Sequence, residues 1–318
     1  MTASSAPRIA IIVPCYNEES VLPISIPVLT GILDRMVAEG LASDSSYILC
    51  CDDRSKDGTW NVIERLHSAD SRIKGISLAH NRGQQCVMLA GLMHARNDAD
   101  AAITIDADLQ DSPEAIIEMV RLFRDGNDIV YGVRSDRSSD SWFKRVSAQC
   151  FYKLQHKLGL ETIYDHSEFR LMSRRSLDLL SEYGESNLFL RGMFPMIGLE
   201  SAVVTYARSP RIAGQTKYPI GKLISGAIDG ITSFTASPMR LIFILGLLLL
   251  IIDVIVAVWV FSAYFCGKTI SGWSSLMLSI WFLGSVILIA LGIIGEYIGK
   301  IFVEVKRRPR YAIQKELL

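Results

Sequence analysis

The sequence predicts an α/β domain on a doubly wound sheet, followed by an amphipathic helix and a hydrophobic hairpin. Three observations carry this expectation. Short apolar, β-branched runs alternate with helix-like segments through residues 8–133. Each run empties into a polar loop. The last third holds two apolar stretches as long as the roughly 20 residues that a helix needs to cross a bilayer. Repeated strand, loop and helix give a parallel sheet covered by helices.

Residues 8–14 (RIAIIVP) are continuously apolar, which fits a strand buried on both faces. The polar loop CYNEES follows, and then a helix over 23–39 that ends near Gly40. Residues 47–51 (YILCC) form a second strand and run into Asp52-Asp53-Arg54-Ser55-Lys56-Asp57-Gly58-Thr59. A helix is expected over 60–67. A third strand, 73–78, leads to His80-Asn81-Arg82-Gly83-Gln84-Gln85 and a helix reaching about Ala95. The fourth strand, 101–105, opens into ITIDADLQDSPE, with a helix over 112–125 and a fifth strand over 128–133. Residues 203–207 (VVTYA) alternate as a further strand.

In such sheets ligands sit at the carboxyl ends of the strands. Those ends carry Tyr16, Asn17 and Glu18, then Asp52 and Asp53, then Arg82 and Gly83, then Asp106 and Asp108. Asp106, Asp108 and the amide of Gln110 are hard oxygen donors within five residues, suited to Mg²⁺ or Mn²⁺. The alternative is a solvated turn that caps the next helix. Asp111 either supports this loop or supplies a charge to the helix N-terminus. No Gly-X-Gly-X-X-Gly follows the first strand and no Gly-X4-Gly-Lys-Ser/Thr occurs, which argues against a dinucleotide site or a P-loop.

Composition narrows the classes further. Lys plus Arg and Asp plus Glu both number 33, so no bulk electrostatic case exists for nucleic acid. The six cysteines lack metal-site spacing, and most fit small buried hydrophobes in a reducing compartment. The opening MTASSAPRIAIIVP has no basic stretch before a long apolar core, so no signal peptide is expected.

VPCYNEE, the DD-x-S-x-DGT segment and IDADLQDSPE, in this order, resemble the family-2 glycosyltransferases of the GT-A (Rossmann-like) fold. The chain is most similar to the polyprenyl-phosphate glycosyltransferases, which include bactoprenol glucosyltransferases and dolichol-phosphate mannose synthases. The resemblance implies that Pro14, Tyr16 and Glu18 line a nucleotide pocket. It implies that Asp52 hydrogen-bonds the base with Asp53 beside it, and that Arg82 lies on the nucleotide-sugar side. Asp106 and Asp108 would hold the nucleotide sugar and a divalent metal, with Gln110 completing the coordination. Arg54 stands where the family usually has Gly, and no role is assigned to it.

Residues 134–157 give a partial helical stripe with arginines. It reads either as an amphipathic surface helix or as a helix near the acceptor, with Arg134 and Arg137 facing diphosphate. The segment SEFRLM resembles the family's Gly-Asp-Phe-Arg-Leu. Glu168 stands at the Asp, a candidate base near the acceptor. Arg208, Arg211 and Lys217 form a basic loop for the acceptor phosphate or the departing diphosphate, or a loop that is basic only because a membrane follows. No Gln-X-X-Arg-Trp occurs, which argues against a processive polysaccharide synthase.

The expected organisation is a cytoplasmic domain over 1–219, a juxtamembrane amphipathic helix over 220–238, a transmembrane hairpin over 239–303 and a basic tail over 304–318. A core-packing helix is the alternative for the second segment. The spans are about 241–265 and 276–301. Lys and Arg flank their inner ends, which puts both termini in the cytoplasm of an inner membrane. Asp253 within the first span costs about 3 kcal/mol against lipid, which favours homo-oligomerisation through these helices.

The expected reaction is inverting transfer of a sugar to polyprenyl phosphate. UDP-glucose is the donor implied by the resemblance. GDP-mannose or a UDP-aminoarabinose is the alternative within the class. A nucleotide-sugar sensor without turnover and a flippase subunit are the rivals outside it.

Overall fold

The structure, a computed structural model, describes residues 6–135, 166–185, 190–207, scattered positions between 242 and 258, and 272–318. Arg137, Arg208, Arg211, Lys217, Asp253 and the helix expected over 220–238 lie outside the described residues. The chain divides into two compact units. One comprises Met1–Pro219 with Arg308–Leu318, and the other is Ile220–Arg307.

The first unit is built on an eight-stranded sheet in the order β7-β5-β6-β4-β1-β2-β3-β8. Its strands are β1 Ile9–Cys15, β2 Tyr47–Asp52, β3 Ile73–Leu78, β4 Ala101–Thr104, β5 Ile129–Arg134, β6 His166–Ser173, β7 Ser201–Tyr206 and β8 Ile313–Leu317. The apolar runs became the central strands because both faces are covered. Ile9, Ile11, Ile12, Ile48, Leu49 and Ile103 are buried. The covering helices are α1 Leu22–Ala38, α2 Thr59–Ala69, α3 Gln84–Ala95 and α4 Ala115–Arg124. α3 packs so close that a Cβ on Gly91 would stand 2.6 Å from the Cys51 sulfur and from Ile12. After β6 come α5 Arg174–Glu182, capped by the Ser173 hydroxyl accepting from the Ser176 N–H, and α6 Leu190–Ile197.

β1 pairs in parallel with β2 on one side and with β4 on the other. The chain therefore steps outward to β2 and β3, then jumps back across β1 to β4. That reversal opens a crevice beyond the carboxyl ends of β1 and β4, where open α/β sheets bind ligands.

The sheet is mixed, which corrects the all-parallel expectation. β6 runs antiparallel to both β4 and β5, and β8 runs antiparallel to β3. β6 is polar by sequence (HSEFRLMS) yet lies between two strands, with Phe169, Arg170, Leu171 and Met172 buried. The stretch expected as a basic tail contains β8, whose partner is β3. Direction has a consequence for chemistry. An antiparallel strand delivers its amino end to the edge where parallel strands deliver their carboxyl ends. The β4–β6 register pairs Thr104 with Arg170, and two residues further on it brings Glu168 opposite Asp106.

In the second unit the main described element is helix α7, Trp273–Val305. Its stretch Phe282–Val305 is the one helix among the described residues long and apolar enough to cross a membrane. At 1.5 Å per residue, 24 residues reach about 36 Å, beyond the roughly 30 Å hydrocarbon core. Phe282, Leu288, Ile289, Ile298 and Phe302 are exposed along it. Ile244, Leu248, Ile251, Ile252, Ile255 and Val258, in the stretch expected as the first span, are helical and exposed as well.

Candidate active site

All eight strands present an end at one edge, the carboxyl ends of β1–β5 and β7 and the amino ends of β6 and β8. On the β1–β2 side, the loops after the two strands are tied together. The Asn17 N–H donates to the Ser55 hydroxyl at 2.9 Å, the Lys56 N–H to Asn17 Oδ1 at 2.9 Å, and the Glu18 N–H to the Thr59 hydroxyl at 2.8 Å. Asn17 and Arg54 both adopt positive φ, 55° and 58°, the sharp turns that let the loops interlock. Pro14, Tyr16 and Glu18 remain half-buried at this edge.

Asp52 and Asp53 are both 2% exposed, and their oxygens serve the protein itself. Asp52 accepts from the Ser55 N–H at 3.0 Å and from the Ser77 hydroxyl at 2.7 Å. Asp53 accepts from the Arg82 and Gly83 N–H groups, each at 2.7 Å. Gly83 takes φ 85°, open to glycine, and so turns its N–H onto Asp53. Burial pushes the Asp53 carboxyl up, and the two amides hold it down. The Asp53 side chain thus shapes the loop that carries Arg82.

At the centre, Asp106 accepts from Gln84 Nε2 at 2.9 Å, and Asp108 accepts from the Gln110 N–H at 3.2 Å. Leu109, directly after Asp108, has φ 47°, so the chain doubles back there. Asp106 is pushed up to about 7, first by desolvation and then by Asp111, Asp108 and Glu168, with Arg191 opposing. It keeps partial exposure, so crowding by protein atoms, not complete enclosure, supplies the desolvation.

Glu168 is 9% exposed. It accepts from Arg191 Nε at 2.8 Å, from Gln85 Nε2 at 3.1 Å and from Arg170 Nη2 at 2.5 Å. Gln85 also accepts from the Leu190 N–H at 3.0 Å, which ties α3 to α6. A carboxylate held by two guanidiniums and an amide orients its surroundings more readily than it takes a proton. Arg134 donates to Asp111 Oδ1 at 3.0 Å, and the Tyr206 hydroxyl donates to the same oxygen at 2.6 Å. The Arg134 side chain is 31% exposed and Asp111 only 2%. Asp111 is therefore a buried anchor for Arg134 and Tyr206, not a surface charge on a helix.

The structure thus brings Asp106, Asp108, Gln110, Glu168 and Arg134 to one edge, with Pro14, Tyr16, Glu18, Asp52, Asp53 and Arg82 along its β1–β3 side. The sequence gives no site role to Gln84, Gln85, Arg191, Ser77 or Tyr206, although Arg191 lies in a segment, LFLRGMFPMIGL, that resembles the family's RG-containing stretch. The glutamines were within reach, since HNRGQQ follows a strand at the same edge.

The donor chemistry fits a divalent cation. Asp106 and Asp108 offer hard oxygens at a crowded acidic edge whose repulsion a cation relieves. Among the described residues no three His, Cys, Asp or Glu side chains gather as a ready-made cage. The fitting arrangement is therefore two carboxylates completed by an amide and substrate oxygens.

An edge at a topological switch point is where open α/β sheets bind their ligands. Residues 10–180 match the model of glycosyl transferase family 2. The chain belongs to this family and is a transferase. It is 48% identical to the uncharacterized glycosyltransferase YkoT of Bacillus subtilis, over 98% of this chain and 93% of the relative. It is 37% identical to the bactoprenol glucosyl transferase of Shigella phage SfII, over 97% of this chain and 98% of the relative. Among solved structures, the glucosyl-3-phosphoglycerate synthase of Mycobacterium tuberculosis, with Mn²⁺, UDP-glucose and phosphoglyceric acid, aligns over 71% of this chain and 78% of its own. That match has 16% identity and a TM-score of 0.45.

Proposed function

We propose that the protein moves a glucosyl group from UDP-glucose to a polyprenyl phosphate at the cytoplasmic face of the inner membrane, inverting the anomeric centre. The observation that carries this reading is the convergence of Asp106 and Asp108 with Glu168, Arg191 and Arg134 at the switch-point edge. It stands in a chain whose full-length relatives include bactoprenol glucosyl transferases.

Pro14, Tyr16, Glu18 and Asp52 are assigned to the nucleoside, with Ser77 and Ser55 fixing the Asp52 carboxylate. Arg82, set by Asp53, faces the diphosphate. Asp106 and Asp108, with Gln110, would hold Mg²⁺ or Mn²⁺, which when bound neutralises charge on the departing nucleoside diphosphate. The acceptor is a phosphate monoester whose second pKa is about 6, so it is already an anionic nucleophile at neutral pH. It needs little help from a base. That agrees with Glu168 held between Arg170 and Arg191, where it fixes the wall of the site. Attack on the anomeric carbon breaks the bond to UDP in one displacement, so an α-linked donor gives a β-linked product. Arg134, held by Asp111, and the basic loop with Arg208, Arg211 and Lys217 are assigned to the acceptor phosphate or the leaving diphosphate.

The fold supports a two-crossing anchor. Ile220–Arg307 is inserted between two segments of one compact unit, so the chain must return to the side from which it left. An even number of crossings fits this, with α7 proposed as one and the apolar stretch 241–265 as the other. Asp253 in the latter favours homo-oligomerisation, which a monomer in nanodiscs would contradict.

The test is to incubate the purified protein with polyprenyl phosphate, Mn²⁺ and separately labelled UDP-glucose, GDP-mannose and UDP-aminoarabinose. Label is expected in the lipid phase from UDP-glucose. No transfer from any donor would sink the enzyme reading, and transfer from another donor alone would reassign the sugar.

A further inference from the structure

The C-terminal segment reaches the same edge by the logic that delivers Glu168. β8 is antiparallel to β3, with Leu78 opposite Ile313, so the residues just before β8 arrive where β3 ends. There the Ala79 N–H donates to the Ala312 carbonyl at 2.8 Å. Ala79 opens the loop 79–83, whose Arg82 and Gly83 amides close on Asp53. On the other side of Asp53, Arg54 donates from Nη1 to Gln314 Oε1. The tail therefore grips the chain after Asp53 and the loop that folds onto its carboxylate. Arg310 extends the grip, since its Nη2 donates to the Tyr183 carbonyl just beyond α5. Its charge also reaches the first turn of α3. Burial and Asp53 push the Cys86 thiol up there, while Arg82 and Arg310 hold it down.

We propose that residues 310–314 are an intramolecular strap that sets the donor loop 79–83, with Arg310 and Gln314 as positioning residues that govern nucleotide affinity. Arg54 gains a role in this scheme. It is the handle by which Gln314 holds the turn after Asp53. The inference rests on the nucleotide-sugar reading for its affinity readout, and its structural readout stands without it.

The experiment uses full-length protein in nanodiscs, with Gln314→Ala, Arg310→Ala and Arg310→Lys. Amide hydrogen exchange is followed in a peptide covering 79–85 and in one from α4 as reference, and UDP affinity is measured with Mn²⁺. In both alanine variants exchange in 79–85 should rise about tenfold with α4 unchanged, and UDP binding should weaken about fivefold. The loss falls on donor KM more than on kcat. Arg310→Lys keeps a charged donor and should stay within about twofold of the parent. Unchanged exchange in 79–85 in both alanine variants would overturn the strap. Faster exchange with unchanged UDP affinity would also overturn it, because the contact would then only support the fold. If the parent protein binds no UDP, the functional reading fails, and the exchange comparison still decides whether the tail holds the loop.

Discussion

β1 and α7 are made of the same kinds of residue and meet opposite fates. Ile9, Ile11, Ile12 and Val13 of β1 have no exposed surface, enclosed by β2, β4 and the covering helices. Leu288 and Ile289 of α7 are 70% and 63% exposed. Aliphatic residues left bare along a helix of this length need another apolar partner, and a bilayer is one. Hydrophobicity alone therefore did not separate the regions. The run length and what lies at its end did. β1 stops after seven residues in a polar loop, and α7 runs for 33.

If that division holds, substitutions in each region change different properties. The largest effect is expected at the acidic edge. Asp108→Ala should lower kcat/KM by about 10³-fold in the lipid-phase transfer assay while the protein stays in the membrane fraction. Next, Ile11→Ala should cost about 3 kcal/mol and lower the melting point of the α/β unit, because it leaves a cavity between sheet and helices. Leu288→Ala removes a similar volume from an exposed site and should leave that melting point within about 0.5 kcal/mol. Equal losses from the two would break the comparison.

A smaller effect tests the buried polar anchor. Asp111→Asn removes the charge that holds Arg134 and the Tyr206 hydroxyl, and should cost about 2 kcal/mol in thermal unfolding. The smallest concerns Asp106 without metal. Its folded pKa is raised above the ordinary carboxylate value to about 7. A raised carboxyl favours the folded state fully below its unfolded pKa, and this contribution is lost as pH rises through the folded pKa. In chelator-treated protein, Asp106→Asn should therefore melt above the parent, by about 4 °C at pH 8 and by less at pH 5. A constant difference across that window would show that Asp106 is not under the repulsion that makes the edge fit a cation.

The central strands were legible because each is an apolar β-branched run that stops at a polar loop. β6 and β8 were not, because HSEFRLMS and IQKEL lack that pattern. Arg170 is acceptable inside the sheet through its contact with Glu168, two residues earlier on the same strand face, and with the Phe194 ring 5.0 Å away. Those contacts exist only once the strand is paired. Asp106, Asp108 and Gln110 could be read from one stretch of chain. Asp111 could not, since the hydroxyl and guanidinium that define it come from β7 and β5. The basic loop with Arg208, Arg211 and Lys217 stays a sequence-based assignment.

The most direct measurement is mass spectrometry of the lipid and nucleotide recovered after incubating the protein with polyprenyl phosphate, UDP-glucose and Mn²⁺. A hexosyl phosphate lipid should accumulate in equal amount with UDP, and neither should form with Asp108→Ala. Release of UDP with free hexose and no hexosyl lipid would contradict transfer to a membrane phosphate.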